Sequence, residues 1–281
     1  MRHSEKAICT LLALLLTCFT ALSQTVTLYD AEQLSSNLVT SMCQDKLGYI
    51  WVGTEYGLNK FDGVHFTQYY NDDTDPRSLA DDIVRNVTTD REGNVWVITN
   101  LGVQRYDRRS DSFDSVDFGE NRTANVNDIL QTGDGKIWLL HAQEGVFEVN
   151  DAMKAVPLEW IGKGILRYAQ NDKNAQNDRD VLNDRNVQND NMYLDGRGRL
   201  WIAFRDEGLQ MTDTNSGQTL YFNGKEFGGL PVVDINEDPE SGLVTVATNS
   251  ALLQFDESSQ TFHNTAMSIY GCMLGYTLIS A

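Results

Sequence analysis

Short apolar runs separated by turn residues recur along the chain at nearly even intervals. Five of these runs lie after a glycine-containing turn, and they read YIWVGT, NVWVIT, KIWLLH, RLWIAF and LVTVAT. A second turn and another short apolar run, such as LNKFD or VQRYD, come next. Runs of β-branched and aromatic residues bounded by Gly, Asp and Asn are typical of strands joined by tight turns. The pattern therefore predicts an all-β fold built from antiparallel hairpins.

One aromatic position marks each copy of the repeat. Tryptophan occupies it four times and threonine once, at Trp51, Trp96, Trp138, Trp201 and Thr245. The spacings are 45, 42, 63 and 44 residues. An apolar pair such as Val39 and Met42 predicts a strand before each hairpin, and a further run such as 66–70 predicts one after it. Four strands in about 44 residues are typical of one blade of a β-propeller.

We therefore predict a β-propeller of four-stranded blades with five repeats visible, in a region spanning 25–266. Blade motifs are predicted near residues 39–70, 84–118, 126–160, 189–222 and 232–264. The run Thr25–Tyr29 resembles an outermost strand whose three inner partners are not found, and the tail 267–281 carries neither glycine turn nor tryptophan run. These two features favour a gene fragment or frameshift product of an incomplete seven-bladed ring. The alternative is a closed five-bladed ring with a divergent tail.

Scaffold roles are predicted for the tryptophans and for the glycines of the first turns. A tryptophan can remove on the order of 200 Å² from water, which suits it to fill the seam between two blades. The turns close on glycine because positive φ is costly for other residues. The glycines include Gly48, Gly93 and Gly198 in the first turns, and we expect the same of second-turn glycines such as Gly102. Asp45, Asp90 and Asp195 stand three residues before their glycines, where a carboxylate can accept backbone N–H groups.

The first 24 residues have the features of a secretory signal peptide: basic Arg2 and Lys6, then an apolar stretch from Ala7 to Leu22. This predicts export, and the alternative is an uncleaved membrane anchor. Two of the four cysteines fall inside this segment, which leaves Cys43 and Cys272. A disulfide framework is therefore not expected.

The longest spacing contains a low-complexity insert at 165–191. Asn-Asp pairs recur there every six residues, at 171, 177, 183 and 189. A polar segment without apolar periodicity cannot pack a core, so we expect an exposed loop. Calcium loops need alternating carboxylates with a glycine and a terminal Glu, and for that reason no metal site is predicted here.

Net charge limits the partners that the chain can have. The formal net charge is −18, which repels phosphate backbones, so nucleic acid is not an expected partner. The histidines His3, His65, His141 and His263 fall in the signal or in different repeats, so neither a zinc set nor a catalytic triad can be assembled. No cofactor and no catalytic residue is predicted.

Candidate ligand contacts lie in the loops between the second and third strands of the blades, because propellers bind ligands where loops gather at the mouth of the channel. A sugar site needs aromatic faces and many hydrogen-bonding groups. The candidates are Glu55, Tyr56, Asn100, His141, Gln143, Glu144, Arg205, Asp206 and Asn249. Polar residues are also the default in any exposed turn, which is the alternative explanation for each of them.

The stretch QDKLGYIWVGTEYGLNKFDGVHFTQYYNDDTDPRSL, with SSNLVTSM before it, resembles the two-component regulator propeller family. The resemblance covers about residues 34–262 and weakens through the middle. It implies a periplasmic sensor region of a Bacteroidetes-type hybrid histidine kinase that binds glycan-derived oligosaccharide and signals through a homodimer.

No kinase motif can be placed in the chain, so we expect no enzyme activity. Contact with the membrane is expected only through missing C-terminal regions or an uncleaved signal. The alternatives are a propeller-fold glycan hydrolase or lyase and a protein-interaction propeller.

Overall fold

The computed structural model describes residues 33–120, 122, 124–159, 191–204 and 208–265. The predicted signal peptide, the run Thr25–Tyr29, all but the last residue of the insert, and the tail 267–281 lie outside the described residues. Five separate four-stranded antiparallel sheets make up the fold, each with its strands in sequence order. The predicted all-β propeller of four-stranded blades is confirmed.

The first two blades carry the sharpest copies of the repeat. Blade 1 consists of β1 (Val39–Gln44), β2 (Ile50–Thr54), β3 (Gly57–Phe61) and β4 (Phe66–Tyr69). Blade 2 consists of β5 (Val84–Thr89), β6 (Val95–Thr99), β7 (Val103–Asp107) and β8 (Ser112–Ser115).

The other three blades have the same order of strands. Blade 3 consists of β9 (Val126–Gln131), β10 (Ile137–His141), β11 (Gly145–Val149) and β12 (Ala155–Pro157). Blade 4 consists of β13 (Asn191–Leu194), β14 (Arg199–Phe204), β15 (Gly208–Asp213) and β16 (Thr219–Asn223). A short 3₁₀ helix, Gly224–Phe227, precedes blade 5, which consists of β17 (Val232–Glu237), β18 (Val244–Thr248), β19 (Leu252–Asp256) and β20 (Thr261–Asn264).

First strands of neighbouring blades pack against one another, as β1 does on β5, β9 on β13 and β13 on β17. This places the first strand of each blade innermost, around the channel. A β-bulge interrupts β1 between Val39 and Ser41 and recurs at the same place in β5, β9 and β17. A bulge turns one side chain away from the regular alternation. In β1 it directs Ser41 toward the next blade, where the side chain accepts from Val87 N–H.

Tryptophans fill the seams between consecutive blades. Trp51 is completely buried among Val84, Val87 and Val97 of blade 2. The other three lie in the same way against the following blade: Trp96 with Val126 and Leu139, Trp138 with Met192 and Ile202, and Trp201 with Val232 and Val246. One tryptophan side chain in each seam thus joins two sheets into a common core.

The glycine turns follow the predicted backbone chemistry with one exception. Gly48, Gly93 and Gly198 have φ values of 89°, 88° and 78°. Gly102 was expected to need a positive φ as well, and that expectation is wrong, because Gly102 lies outside the left-handed region. Close packing accounts for this glycine instead, since an added Cβ would lie 3.0 Å from the Cβ of Ala80.

The face of blade 1 that points away from blade 2 differs from its counterparts. Met42 on β1 is 69% exposed, whereas Val87 and Met192 at the same position of blades 2 and 4 are 2% and 6% exposed. Val39 is likewise exposed, while Val84 is completely buried. Among the described residues, therefore, no blade covers this side of β1.

Candidate functional site

The loops between second and third strands lie beside the segments that lead into the inner strands. Glu55 N–H donates to the carbonyl of Leu38 at 3.0 Å, and Gly57 N–H donates to that of Asp82 at 2.6 Å. Asn100 N–H donates to the carbonyl of Ile83 at 3.3 Å. These bonds join the loops of the first two blades into one continuous edge. We call it the blade 1–2 rim and define it as residues 54–57, 81–83 and 100–101, together with Tyr70, which packs against Tyr56.

In blades 1 and 2 a threonine at the end of the second strand fixes the turn that follows. Thr54 Oγ1 accepts from Tyr56 N–H at 3.1 Å and donates to the carbonyl of Gly57 at 2.8 Å. Thr99 Oγ1 accepts from Gly102 N–H at 3.0 Å. Since these threonines are completely buried, the turns are held from inside the blade. The rim therefore presents loops of defined shape.

His141 takes the place of this threonine in blade 3. Its Nδ1 accepts from the N–H groups of Gln143 and Glu144 at 3.2 and 3.1 Å, and its side chain is 1% exposed. An acceptor Nδ1 belongs to the neutral ring with the proton on Nε2. We had expected His141 to contact ligand. The structure corrects this expectation, because a buried ring that caps a turn cannot reach the mouth.

The remaining candidates divide into those the structure describes and those it does not. Glu55, Tyr56, Asn100, Gln143 and Asn249 are exposed at the tips of their loops. Glu144 is half-buried and accepts from Arg122 Nε at 3.0 Å, so its carboxylate already has a cationic partner. Arg205 and Asp206 lie outside the described residues. The structure thus brings Glu55, Tyr56 and Asn100 together on one rim, and it places Gln143 and Asn249 on other blades.

Tyr70 joins this rim and was missed from the sequence. Its ring centroid lies 5.6 Å from that of Tyr56, with the planes inclined by 55°. The lack of a side chain at Gly57 makes room for this contact, because an added Cβ would lie 2.9 Å from Tyr70 Cε1. The phenol of Tyr70 donates to Gln68 Oε1 at 2.9 Å. The only signal in the sequence was the doubled tyrosine of FTQYY at the end of the fourth strand.

Carboxylates border the aromatic pair and are held by backbone donors. Asp82 Oδ1 accepts from Asn71 N–H at 2.7 Å, and Asp81 Oδ1 accepts from Ile83 N–H at 2.6 Å. Burial raises the pKa of Tyr70, and nearby Tyr56 and Asp82 raise it further. The phenol therefore stays protonated at neutral pH, next to a fixed negative charge.

The channel wall is held by bonds from the bulged residues of one inner strand to the next. Ser41 Oγ accepts from Val87 N–H at 2.9 Å, and Asp128 Oδ2 accepts from Met192 N–H at 2.8 Å. Burial raises the pKa of Asp128 to about 6. Arg85 donates to the Oδ1 atoms of Asn125 and Asn127 and so links blades 2 and 3. These polar side chains join neighbouring blades through hydrogen bonds.

Other chemistry in the described part of the chain is limited. Burial raises the pKa of the Cys43 thiol to about 12, which keeps it from acting as a thiolate nucleophile. Within the described ranges, no group of three or more His, Cys, Asp or Glu side chains could hold a metal ion. A search of the same residues for a helix that is long and apolar enough to cross a membrane finds none.

Comparison with solved structures finds several proteins with a similar fold. The extracellular domain attributed to a hybrid two component system BT3049 from B. thetaiotaomicron superposes with a TM-score of 0.66 at 23% identity, over 84% of this chain and 31% of that one. The corresponding domain of BT4673 gives 0.63 at 16% identity, over 87% and 33%. Virginiamycin B lyase from Staphylococcus aureus gives 0.53 at 13% identity, over 81% and 69%. At these identities the likeness concerns the fold.

Sequence comparison finds a shorter and closer match. Histidine kinase P4 from Formosa agariphila is 48% identical over 48 residues, which are 17% of this chain and 4% of that protein. The chain thus spans about a third of the two extracellular domains and a small part of the kinase. The family model described as Two component regulator propeller matches residues 33–56, and this match confirms the resemblance that the repeat of blade 1 indicated.

Proposed function

We propose that this chain is the ligand-sensing propeller part of an exported two-component sensor, and that it binds a glycan-derived oligosaccharide at the mouth of the propeller. The observation that carries the proposal is the blade 1–2 rim, where exposed tyrosine rings stand beside fixed carboxylates and amides. Aromatic faces with a few well-placed hydrogen-bonding groups are what a saccharide site requires. The family match at 33–56 supports the sensor role.

Signalling would belong to a longer protein of which this propeller is a part. Histidine kinase P4 and the extracellular domains of the hybrid systems are the kinds of protein that supply this context. Ligand binding in the periplasm would favour one arrangement of a receptor dimer and pass that preference to a cytoplasmic kinase. This requires the ligand to bind the two arrangements with different affinity.

The experiment is a binding screen on the exported chain. Thermal unfolding is followed with and without each of a set of plant and algal oligosaccharides, because a ligand that binds only the folded state raises the melting temperature. The proposal expects at least one oligosaccharide to raise it in a concentration-dependent way. A screen with no shift for any saccharide would contradict the proposal.

The same samples address an enzymatic role. Each oligosaccharide is incubated with the protein and the mixture is separated after increasing times. A sensor returns the sugar unchanged, whereas a glycan hydrolase or lyase releases products that accumulate with time. Product formation that follows the protein through purification would replace the sensor proposal.

A further inference from the structure

We infer that the ligand of the blade 1–2 rim is an uncharged saccharide, and that Tyr56 and Tyr70 are the two faces on which its rings stack. This inference rests on the proposed function and makes it narrower. The ligand is assigned to the seam between blades 1 and 2, Tyr70 is added to the residues expected from the sequence, and the ligand is assigned no charge.

Several exposed apolar side chains lie at this rim. Tyr56 is 58% exposed and Tyr70 is 37% exposed, and Ile83 and Leu101 beside them are also exposed. The corresponding loops of other blades present polar tips instead, such as Gln143 in blade 3 and Asn249 with Ser250 in blade 5. A group of exposed apolar side chains beside loops with polar tips indicates a binding site.

Both rings are held in place before any ligand arrives. The backbone of Tyr56 is fixed by Thr54, and Tyr70 packs over Gly57 with its hydroxyl bonded to Gln68. A preformed aromatic site loses little conformational entropy on binding. The two rings are inclined by 55° and 5.6 Å apart, so they form a corner rather than a flat stack. A corner offers two faces to consecutive sugar units.

The charges at the rim determine which saccharides fit. Glu55, Asp81 and Asp82 supply carboxylates, and the rim contains no lysine or arginine. The nearest arginine of the inner strands, Arg85, is already bonded to Asn125 and Asn127. Carboxylates accept hydrogen bonds from sugar hydroxyls, but they repel uronate and sulfate groups. The site therefore favours sugars without negative charge.

The test uses the exported chain, with four variants, in isothermal titration. Uncharged hexasaccharides of gluco, manno, xylo and galacto type are compared with oligogalacturonate and oligoguluronate of the same length. The variants are Tyr56→Ala, Tyr70→Ala, Tyr70→Phe and the control Tyr221→Ala. Tyr221 is a partly exposed tyrosine of β16, distant in sequence from the rim, and it controls for the loss of any surface phenol.

We expect an uncharged hexasaccharide to bind and the two rim alanine variants to weaken its Kd by about tenfold or more. Tyr70→Phe keeps the ring and should stay within about threefold of the parent protein, and Tyr221→Ala should be unchanged. Because Tyr56 is exposed and Tyr70→Phe retains the packing, at least these two variants should fold.

The other outcomes contradict the inference alone or the proposed function with it. If a saccharide binds and neither rim alanine variant changes its Kd, this inference is wrong and the proposed function survives. If the oligouronates bind and the uncharged sugars do not, the assignment of ligand charge is wrong. If no saccharide binds to the parent protein, both the inference and the oligosaccharide ligand of the proposed function are contradicted.

Discussion

The indole N–H of Trp51 donates to the buried carboxylate of Asp45 at 2.8 Å, inside the seam between the first two blades. The same bond joins Trp96 to Asp90 and Trp201 to Asp195, each at 2.9 Å. In blade 3 a threonine replaces the aspartate, and Trp138 donates to Glu148 at 3.2 Å instead. The aspartate that shapes the turn therefore also anchors the ring that fills the seam.

Replacing Asp45 by Asn should destabilise the fold by about 2 kcal/mol. The carboxylate accepts from Trp51 Nε1, from Arg108 Nη2 of blade 2 at 3.0 Å and from two backbone N–H groups. An amide offers one acceptor fewer and turns a donor toward other donors. Urea unfolding of the parent protein and the variant measures the difference.

Asp238→Asn is the matched control for that variant. Asp238 holds the corresponding turn of blade 5 through the N–H groups of Glu240 and Ser241, but it is exposed and its blade carries Thr245 in place of tryptophan. We expect it to lose less than about 0.5 kcal/mol. Equal losses at the two positions would show that the turn alone, and not the tryptophan anchor, accounts for the effect.

Asp128 should make the protein less stable as the pH rises from about 4 to about 6. Burial raises its pKa to about 6, and the bonds from Met192 and Ile129 offset this only in part. An acid whose pKa is higher in the folded than in the unfolded chain binds more protons when folded. Its contribution is therefore complete at low pH and is lost as the carboxyl ionises.

Asp128→Ser tests this dependence with a side chain taken from the same position of blade 1, where Ser41 Oγ accepts from Val87 N–H. Serine keeps an acceptor for Met192 N–H and does not ionise. Relative to the parent protein, the variant should gain about 1 kcal/mol between pH 4.5 and pH 7, since the channel keeps the carboxylate partly accessible to water. Parallel stability curves for the two proteins would contradict the assignment.

Met42 and Met192 give a direct comparison of an open and a covered blade face. The two methionines occupy the same position of β1 and β13, but Met42 is exposed and Met192 is buried. Met192→Gln should cost about 2 kcal/mol or more, because it buries an amide in an apolar seam. Met42→Gln should cost less than about 0.5 kcal/mol. A similar loss for both, measured by thermal or urea unfolding, would show that the face of blade 1 is covered in the whole protein.

Gln104 should be required for the stability of residues 78–83, a segment that includes the rim residues 81–83. Its Oε1 accepts from Ala80 N–H at 2.8 Å, and its Nε2 donates to the carbonyl of Ser78 at 2.9 Å. Gln104→Met leaves both backbone groups without this partner and should cost about 2 kcal/mol. Hydrogen exchange of residues 78–83 should become faster. Gln143→Met, in an exposed loop, serves as the control. Unchanged exchange at 78–83 in the Gln104 variant would show that Gln104 does not hold this segment in place.

The architecture could be predicted from the sequence because a repeated motif reports on every blade at once. Trp51 and its three counterparts set the period, and the strands around them follow from alternation and turn residues. The outer strand of blade 3, Ala155–Pro157, was not identified, because three residues with a proline carry little pattern. The bond from the tryptophan to the aspartate was also missed, since the turn role of Asp45 was sufficient to explain the presence of an aspartate.

The candidate site was harder to predict because it depends on contacts between blades. Glu55 and Tyr56 follow from the position of their loop, but Tyr70 reaches the rim only through the packing over Gly57. The prediction that His141 contacts ligand was wrong for a different reason. A histidine beside a loop suggests chemistry, whereas the register shows that it replaces the buried threonine that caps the turn in other blades.

Saccharide binding at the blade 1–2 rim is best tested by a crystal structure of the protein with the oligosaccharide that raises its melting temperature most. We expect sugar rings within about 4 Å of the rings of Tyr56 and Tyr70, with hydroxyls directed at the neighbouring carboxylates. Sugar bound elsewhere on the propeller, with both tyrosines still facing solvent, would contradict this expectation.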